Sequence, residues 1–208
     1  MEREDDLPAV ERPPTLRALT RTVDTLLLPE GFNRSGVIWT RLRNTFFDVI
    51  DIQTSRYDHL HFTINVGVCD PQIFSQIWGR ELPEKKSVTD CIVESRIGYI
   101  SGQTDVWWDL RDQQAVNEVS RVLEREVIAF LEGQQNHKDM LDWLLKTKTL
   151  KQMYPLERIK VAVLYHSVGE LDASRQMLKA ELANKRSEHW FDRVNFVGSK
   201  LKLQLDMN

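Results

Sequence analysis

His59 and His61, in the run YDHLHF, are separated by one residue. In a strand that spacing puts two imidazoles on one face, where they could share a metal ion. A metal site needs at least a third ligand, and nothing nearby in the sequence supplies one, so ordinary strand histidines are expected. Asp105 and Asp109 flank Trp107 in DVWWDL, a spacing compatible with a carboxylate pair acting as acid and base. Without a convergent pocket, these carboxylates are expected to face solvent or to pair with Arg96. The two cysteines, Cys69 and Cys91, belong to no C-x-x-C or zinc-like pattern, and free thiols packed as small apolar groups are expected. Neither G-x-S-x-G nor H-E-x-x-H occurs. Gly98 and Gly102 precede no Lys-Ser/Thr pair and no helix start, so they suit a hairpin better than a phosphate loop. The stretch from Lys146 to Lys160, KTKTLKQMYPLERIK, mixes basic and aromatic groups that could touch nucleic acid. Its helix-loop context makes a surface linker the better expectation.

Composition narrows the classes of function. At 208 residues, 41% hydrophobic and 28% charged, the chain can bury a real core and reads as folded. The formal charge of -3 disfavours nucleic acid as a partner, since that normally needs a clustered positive surface. Charge is uneven: residues 1–136 carry 15 basic and 22 acidic side chains, and the rest carry 13 and 9. The N-terminal MEREDDLPAVERPP is acidic and lacks an apolar core, so neither a signal nor a transit peptide is expected, and no apolar run is long enough to span a bilayer. A cytoplasmic protein without membrane attachment is the default reading, and no cofactor is called for.

The elements that must position these residues follow from periodicity. Leu16, Leu19, Val23, Leu26 and Leu27 form the stripe of an amphipathic helix that Pro29 and Gly31 end. From residue 36 the period becomes two: GVIWTRLR, TFFDVIDIQ and HLHFTINVGV read as an antiparallel meander. The stretch CDPQIFSQIWGRELPEKKS is a looser connection to a fourth strand, ESRIGYI, and a fifth candidate, DVWWDL. Val116, Val119, Leu123, Val127 and Phe130 mark a following helix, with Gly133 suited to a left-handed close. Beyond it the sequence is helical, with Pro155 at a permitted first-turn position and a hairpin broken by Gly169. The expected fold is therefore α+β: an antiparallel β-meander of four to five strands packed with an N-terminal and a following helix, plus a C-terminal α-helical region. The expected divisions are a flexible N-terminal lead, 1–14, an α+β domain, 15–135, and the helical region, 136–208.

Side-chain parity then separates the two tryptophans of DVWWDL. Val106, Trp108 and Leu110 share a core face, leaving Trp107 opposite with Asp105 and Asp109. Applied to the other strands, the same alternation gives the second face Trp39, Arg41, Arg43, Gln53, His61, Asn65, Arg96 and Trp107, provided no bulge intervenes. Aromatic and Arg groups in company have the composition of an interface hot spot or a ligand platform. The alternative is a buried layer in which C-terminal helices cover Trp39 and Trp107 and the arginines pair with Asp51, Asp105 and Asp109.

The ordered set Gly31–Phe32; Arg34, Ser35, Gly36, Trp39 and Arg41; Gln53 and Ser55; Phe62 to Val68; Arg96 to Gly98; and Trp107–Trp108 resembles a bacterial domain family of unknown function. The likeness covers roughly residues 15 to 132. It implies an α+β domain and a bacterial source, with no established catalysis. Members of such families can stand beside polymorphic toxin genes, which implies an immunity protein. The leading expectation is thus a non-enzymatic interaction module that binds and neutralises a toxin or effector through the eight second-face residues. The alternative is a small-molecule- or nucleotide-handling enzyme using Arg41, Asn65, Arg96 and Trp107 around a cleft.

Overall fold

The structure, a computed structural model, describes residues 15–184 and 187–205; the expected lead, 1–14, lies outside them. Helix α1 (Leu16–Leu27) begins where the Thr15 hydroxyl accepts a hydrogen bond from the Ala18 amide, and it buries Leu19, Val23 and Leu27. Six strands follow: β1 (Asn33–Ser35), β2 (Ile38–Arg43), β3 (Phe46–Thr54), β4 (His61–Cys69), β5 (Val93–Arg96) and β6 (Trp108–Asp109). They form one antiparallel sheet in the order β1-β2-β3-β4-β5, with β6 pairing the start of β4. The fold is α+β.

One sheet face is the main core. Trp39, Ile50, Ile52, Phe62, Ile64, Val66, Val68, Val93 and Trp108 join α1 and helix α4 (Gln113–Val122) in a single apolar cluster. A π-turn at Leu123–Val127 carries α4 into α5 (Ile128–Glu132). Gly133 closes α5 at φ -70, not in the left-handed form expected, because a tight Gln134-to-Leu131 backbone bond already turns the chain. Helices α6 (His137–Thr147), α7 (Pro155–Ser167), α8 (Leu171–Ala183) and α9 (Glu188–Lys200) extend the same cluster through Met140, Ile159, Leu178 and Val194. His137 at the start of α6 lies 2.6 Å from the Asp70 carboxylate, which also accepts from the Gln72 and Ile73 amides.

Several local expectations need correction. The connection after β4 contains helix α2 (Pro71–Trp78), with Asp70 as N-cap, Pro71 in the first turn and Gly79 left-handed at its end. The fourth strand stops at Arg96, and IGYI turns into the one-turn helix α3 (Ile97–Ile100). Only two residues of DVWWDL pair as strand. His59 has φ +56 in a turn and Leu60 is exposed before β4 begins, so the two histidines do not share a strand face. The cysteines are not free: Cys69 and Cys91 form a disulfide beside Val49 and Val88.

The largest correction concerns β2. Its register sets Trp39 against Ile50 and Arg41 against Asp48, which turns Trp39, Arg41 and Arg43 toward the helices. Trp39 is 0% exposed, and its indole N–H donates to Asp24 at 2.9 Å, so the ring enters the core without an orphaned donor. Leu42, which parity with Arg41 and Arg43 on the second face assigns to the core face, is 63% exposed. The arginines are tolerated on the core side because Asp48, itself fully buried, binds both, while the Leu131 and Gln134 carbonyls at the end of α5 accept from Arg43.

Candidate binding face

The opposite sheet face is divided by what covers it. Toward one end, Val49, Cys69, Val88 and Cys91 form a small second core with Ile38, Phe47 and Leu82. This is the work of the α2–β5 connection, including a 3-10 turn at Val88–Asp90 and Lys86, whose ammonium sits 3.9 Å from the Phe47 ring centre. Toward the other end lies a hollow of about 390 Å³ lined by Gln53, Ser55, Arg56, Tyr57, His61 and Trp107.

The eight residues expected to share one face therefore separate. Trp39, Arg41 and Arg43 belong to the helix-covered face, where they hold the β2–β3 hairpin to α1 and α5. Gln53, His61, Asn65, Arg96 and Trp107 remain together. Three of these, Gln53, His61 and Trp107, line the hollow. Asn65 stands opposite Asp51 on one side and Arg96 on the other, and its amide donates to Asp51 at 2.8 Å and to Gln53 at 3.0 Å. Burial pushes the Asp51 carboxyl above its ordinary range, against the hydrogen bonds from Asn65 and the Val88 backbone. Thr63, opposite Gln53 in the register, is fully buried, and its hydroxyl has no hydrogen-bond partner among the described residues.

The hairpin from Ser55 to His61 is shaped by its own side chains. Ser55 Oγ accepts from the Tyr57 amide, and Asp58 accepts from the Leu60 and His61 amides. The other Asp58 oxygen lies 2.6 Å from His61 Nδ1, and this bond holds the Asp58 carboxyl below the usual carboxylate range. Serine, histidine and aspartate here are the residue types of a hydrolytic triad. No bond links Ser55 Oγ to His61, however, so the hydroxyl is not activated in this arrangement.

Two further arginines at this end are paired. Arg96 is bound to Asp105 and packs its guanidinium 5.2 Å from the Trp107 ring centre. Asp109 binds Arg111 at 2.6 Å, which holds the Asp109 carboxyl far below its usual range and raises the Arg111 guanidinium. The two carboxylates flanking Trp107 thus each hold an arginine. Trp107 itself is half-buried, whereas Trp108 is 6% exposed, packs on Phe62 and donates to Glu118.

The residues that sequence reasoning missed are Ser55, Arg56 and Tyr57. They read as a turn, and only the Asp58-centred hairpin folds them back beside Trp107. In the basic stretch, Lys148 pairs with Glu157, Arg158 with Glu181 and Lys160 with Glu94, so much of its charge is spent within the protein. Among the described residues, no group of three or more His, Cys, Asp or Glu is placed to hold a metal ion, and no helix is long and apolar enough to cross a membrane.

Over residues 23–146 the chain matches the family model of a domain of unknown function, DUF4304. No curated protein and no solved structure matches it.

Proposed function

The chain belongs to this domain family of unknown function, and from that premise we propose that it is a protein-interaction module whose partner docks on the open end of the second sheet face. The observation that carries the proposal is the grouping of Trp107, Tyr57 and Arg56 around an open hollow whose other charged groups are already paired. Such a surface offers aromatic anchors without the cost of stripping water from unpaired buried charges.

In its finer form, the protein is a bacterial immunity-type antagonist that binds a toxin or effector in the cytoplasm and blocks it, with no reaction of its own. A cytoplasmic setting requires the Cys69–Cys91 pair to be reduced there, leaving both sulfurs as small buried groups beside Val49 and Val88. Co-expression with the product of the adjacent gene tests the reading. A copurifying complex and protection of the host, both lost in Trp107→Ala, are expected. No complex and no protection would refute it.

A second reading, a small-molecule- or nucleotide-handling enzyme, draws support from the hollow, whose size falls at the low end for ligand sites. Of Arg41, Asn65, Arg96 and Trp107, the residues this reading assigns to a cleft, Trp107 alone lines the hollow, and Arg41 is on the other face. A ligand-dependent rise in melting temperature that Gln53→Ala removes would favour this reading.

A further inference from the structure

Charge at the hollow indicates what kind of partner surface it accepts. His61 is hydrogen-bonded to Asp58, and Arg96 and Arg111 are ion-paired with Asp105 and Asp109. Arg56 lines the hollow and is exposed, and among the described residues no carboxylate pairs with it. Among the residues lining the hollow, Arg56 is therefore the one permanent cation. Gln53 adds a directed donor: its carbonyl oxygen is occupied by the Asn65 amide, which leaves its own N–H₂ to donate. Beside these polar groups, Trp107 and Tyr57 supply flat apolar walls.

The rim extends past what a small molecule would cover. Tyr57 is 100% exposed, so its ring carries apolar surface outward from the hollow. A partner that seats a group in the hollow and also covers that ring must reach beyond it, as a polypeptide segment does.

We propose that the hollow receives an acidic, aromatic-bearing segment of a partner protein. A glutamate or aspartate of that segment meets Arg56 and the Gln53 amide, while a neighbouring aromatic ring packs against Trp107 and Tyr57. Carboxylate on guanidinium supplies a charge-assisted bond, and ring on ring supplies the apolar anchor. This assignment rests on the interaction reading above and gives its partner a chemistry.

The test uses the full chain, isotopically labelled, and two capped hexapeptides, one alternating glutamate with phenylalanine and the other alternating lysine with phenylalanine. The glutamate peptide is expected to shift the amides of residues 53–61 and 107–109, with binding that weakens as salt rises. Arg56→Glu should weaken it about tenfold or more, and Arg56→Lys should retain most of it, since either cation can meet a carboxylate. Arg56 is exposed, so both variants should melt with the parent protein. Equal binding of the lysine peptide, shifts centred elsewhere, an unchanged Arg56→Glu response or no response to the glutamate peptide would each overturn the assignment. Those outcomes would leave the broader reading standing, because that reading is decided separately by whether the natural partner depends on Trp107.

Discussion

Arg41 and Asp48 stand directly opposite each other in the β2–β3 ladder, with Nη2 of the guanidinium 2.8 Å from an Asp48 oxygen and the carboxylate closed to solvent. Arg43 reaches the other oxygen at 3.1 Å. One buried anion thus compensates two cations on a core-facing strand. Asp48→Ala should lower stability by roughly 3 to 5 kcal/mol, because Arg43 would keep its position with no opposing charge and Arg41 would retain only the half-exposed Glu132 carboxylate. Denaturant unfolding measures this; a loss below about 1 kcal/mol would mean the arginines reach water without strain.

Gly67 of β4 lies directly under the covering connection. A Cβ there would come within 2.8 Å of Cys91 Cβ, 2.9 Å of its sulfur and 3.0 Å of the Val93 carbonyl oxygen. Gly67→Ala should cost roughly 1 to 3 kcal/mol, as overpacking in a closed layer usually does. Unfolding midpoints of the two proteins give the comparison, and an unchanged midpoint would mean the connection lifts readily from the sheet.

Asp51 gives a pH dependence with a definite sign. Its folded-state carboxyl is raised by burial, so between the ordinary carboxylate range and the raised value the native state binds more protons than the unfolded one. Stability then falls as pH rises through that window, and the cost of the buried charge is fully present above it. Asp51→Asn should therefore melt higher than the parent at neutral pH, and the gain should vanish on acidification below the usual carboxylate range. Asp58 and Asp109, whose carboxyls are lowered, act with the opposite sign in both proteins and cancel in the difference. A gain that grew at low pH would contradict this account.

Much of the architecture is legible in the sequence because it rests on period. The two-residue alternation of FTINV and the three- and four-residue steps of α1 and α4 both find their cores where parity puts them. Parity fails in β2, where Ile38 and Leu42 outvote a single Trp39. A tryptophan with a carboxylate to take its N–H packs better in the core than two aliphatics, but the carboxylate, Asp24, is 15 residues away and invisible to a local pattern. Parity misplaces Arg41 and Arg43 for the same reason, since Asp48 reads as a polar interruption until the register sets it opposite Arg41. In α2 the local signals, Asp70 then Pro71 then Gly79, were present and simply outweighed by the looseness of the segment. The disulfide has no such signal: Cys69 and Cys91 are 22 residues apart and meet only because the chain folds back over β4.

Two adjacent tryptophans have opposite duties. Trp108 packs on Phe62 in the main core, and Trp107 borders the hollow with Arg96 over its ring. Trp108→Ala should cost roughly 3 to 5 kcal/mol of stability. Trp107→Ala should melt close to the parent protein yet weaken partner binding by about 2 kcal/mol, or roughly thirtyfold. The decisive measurement is the melting temperature of Trp107→Ala set beside its affinity for the partner. A near-native melt with lost affinity is the predicted result, and a melt as low as that of Trp108→Ala, or a native melt with undiminished affinity, would contradict it.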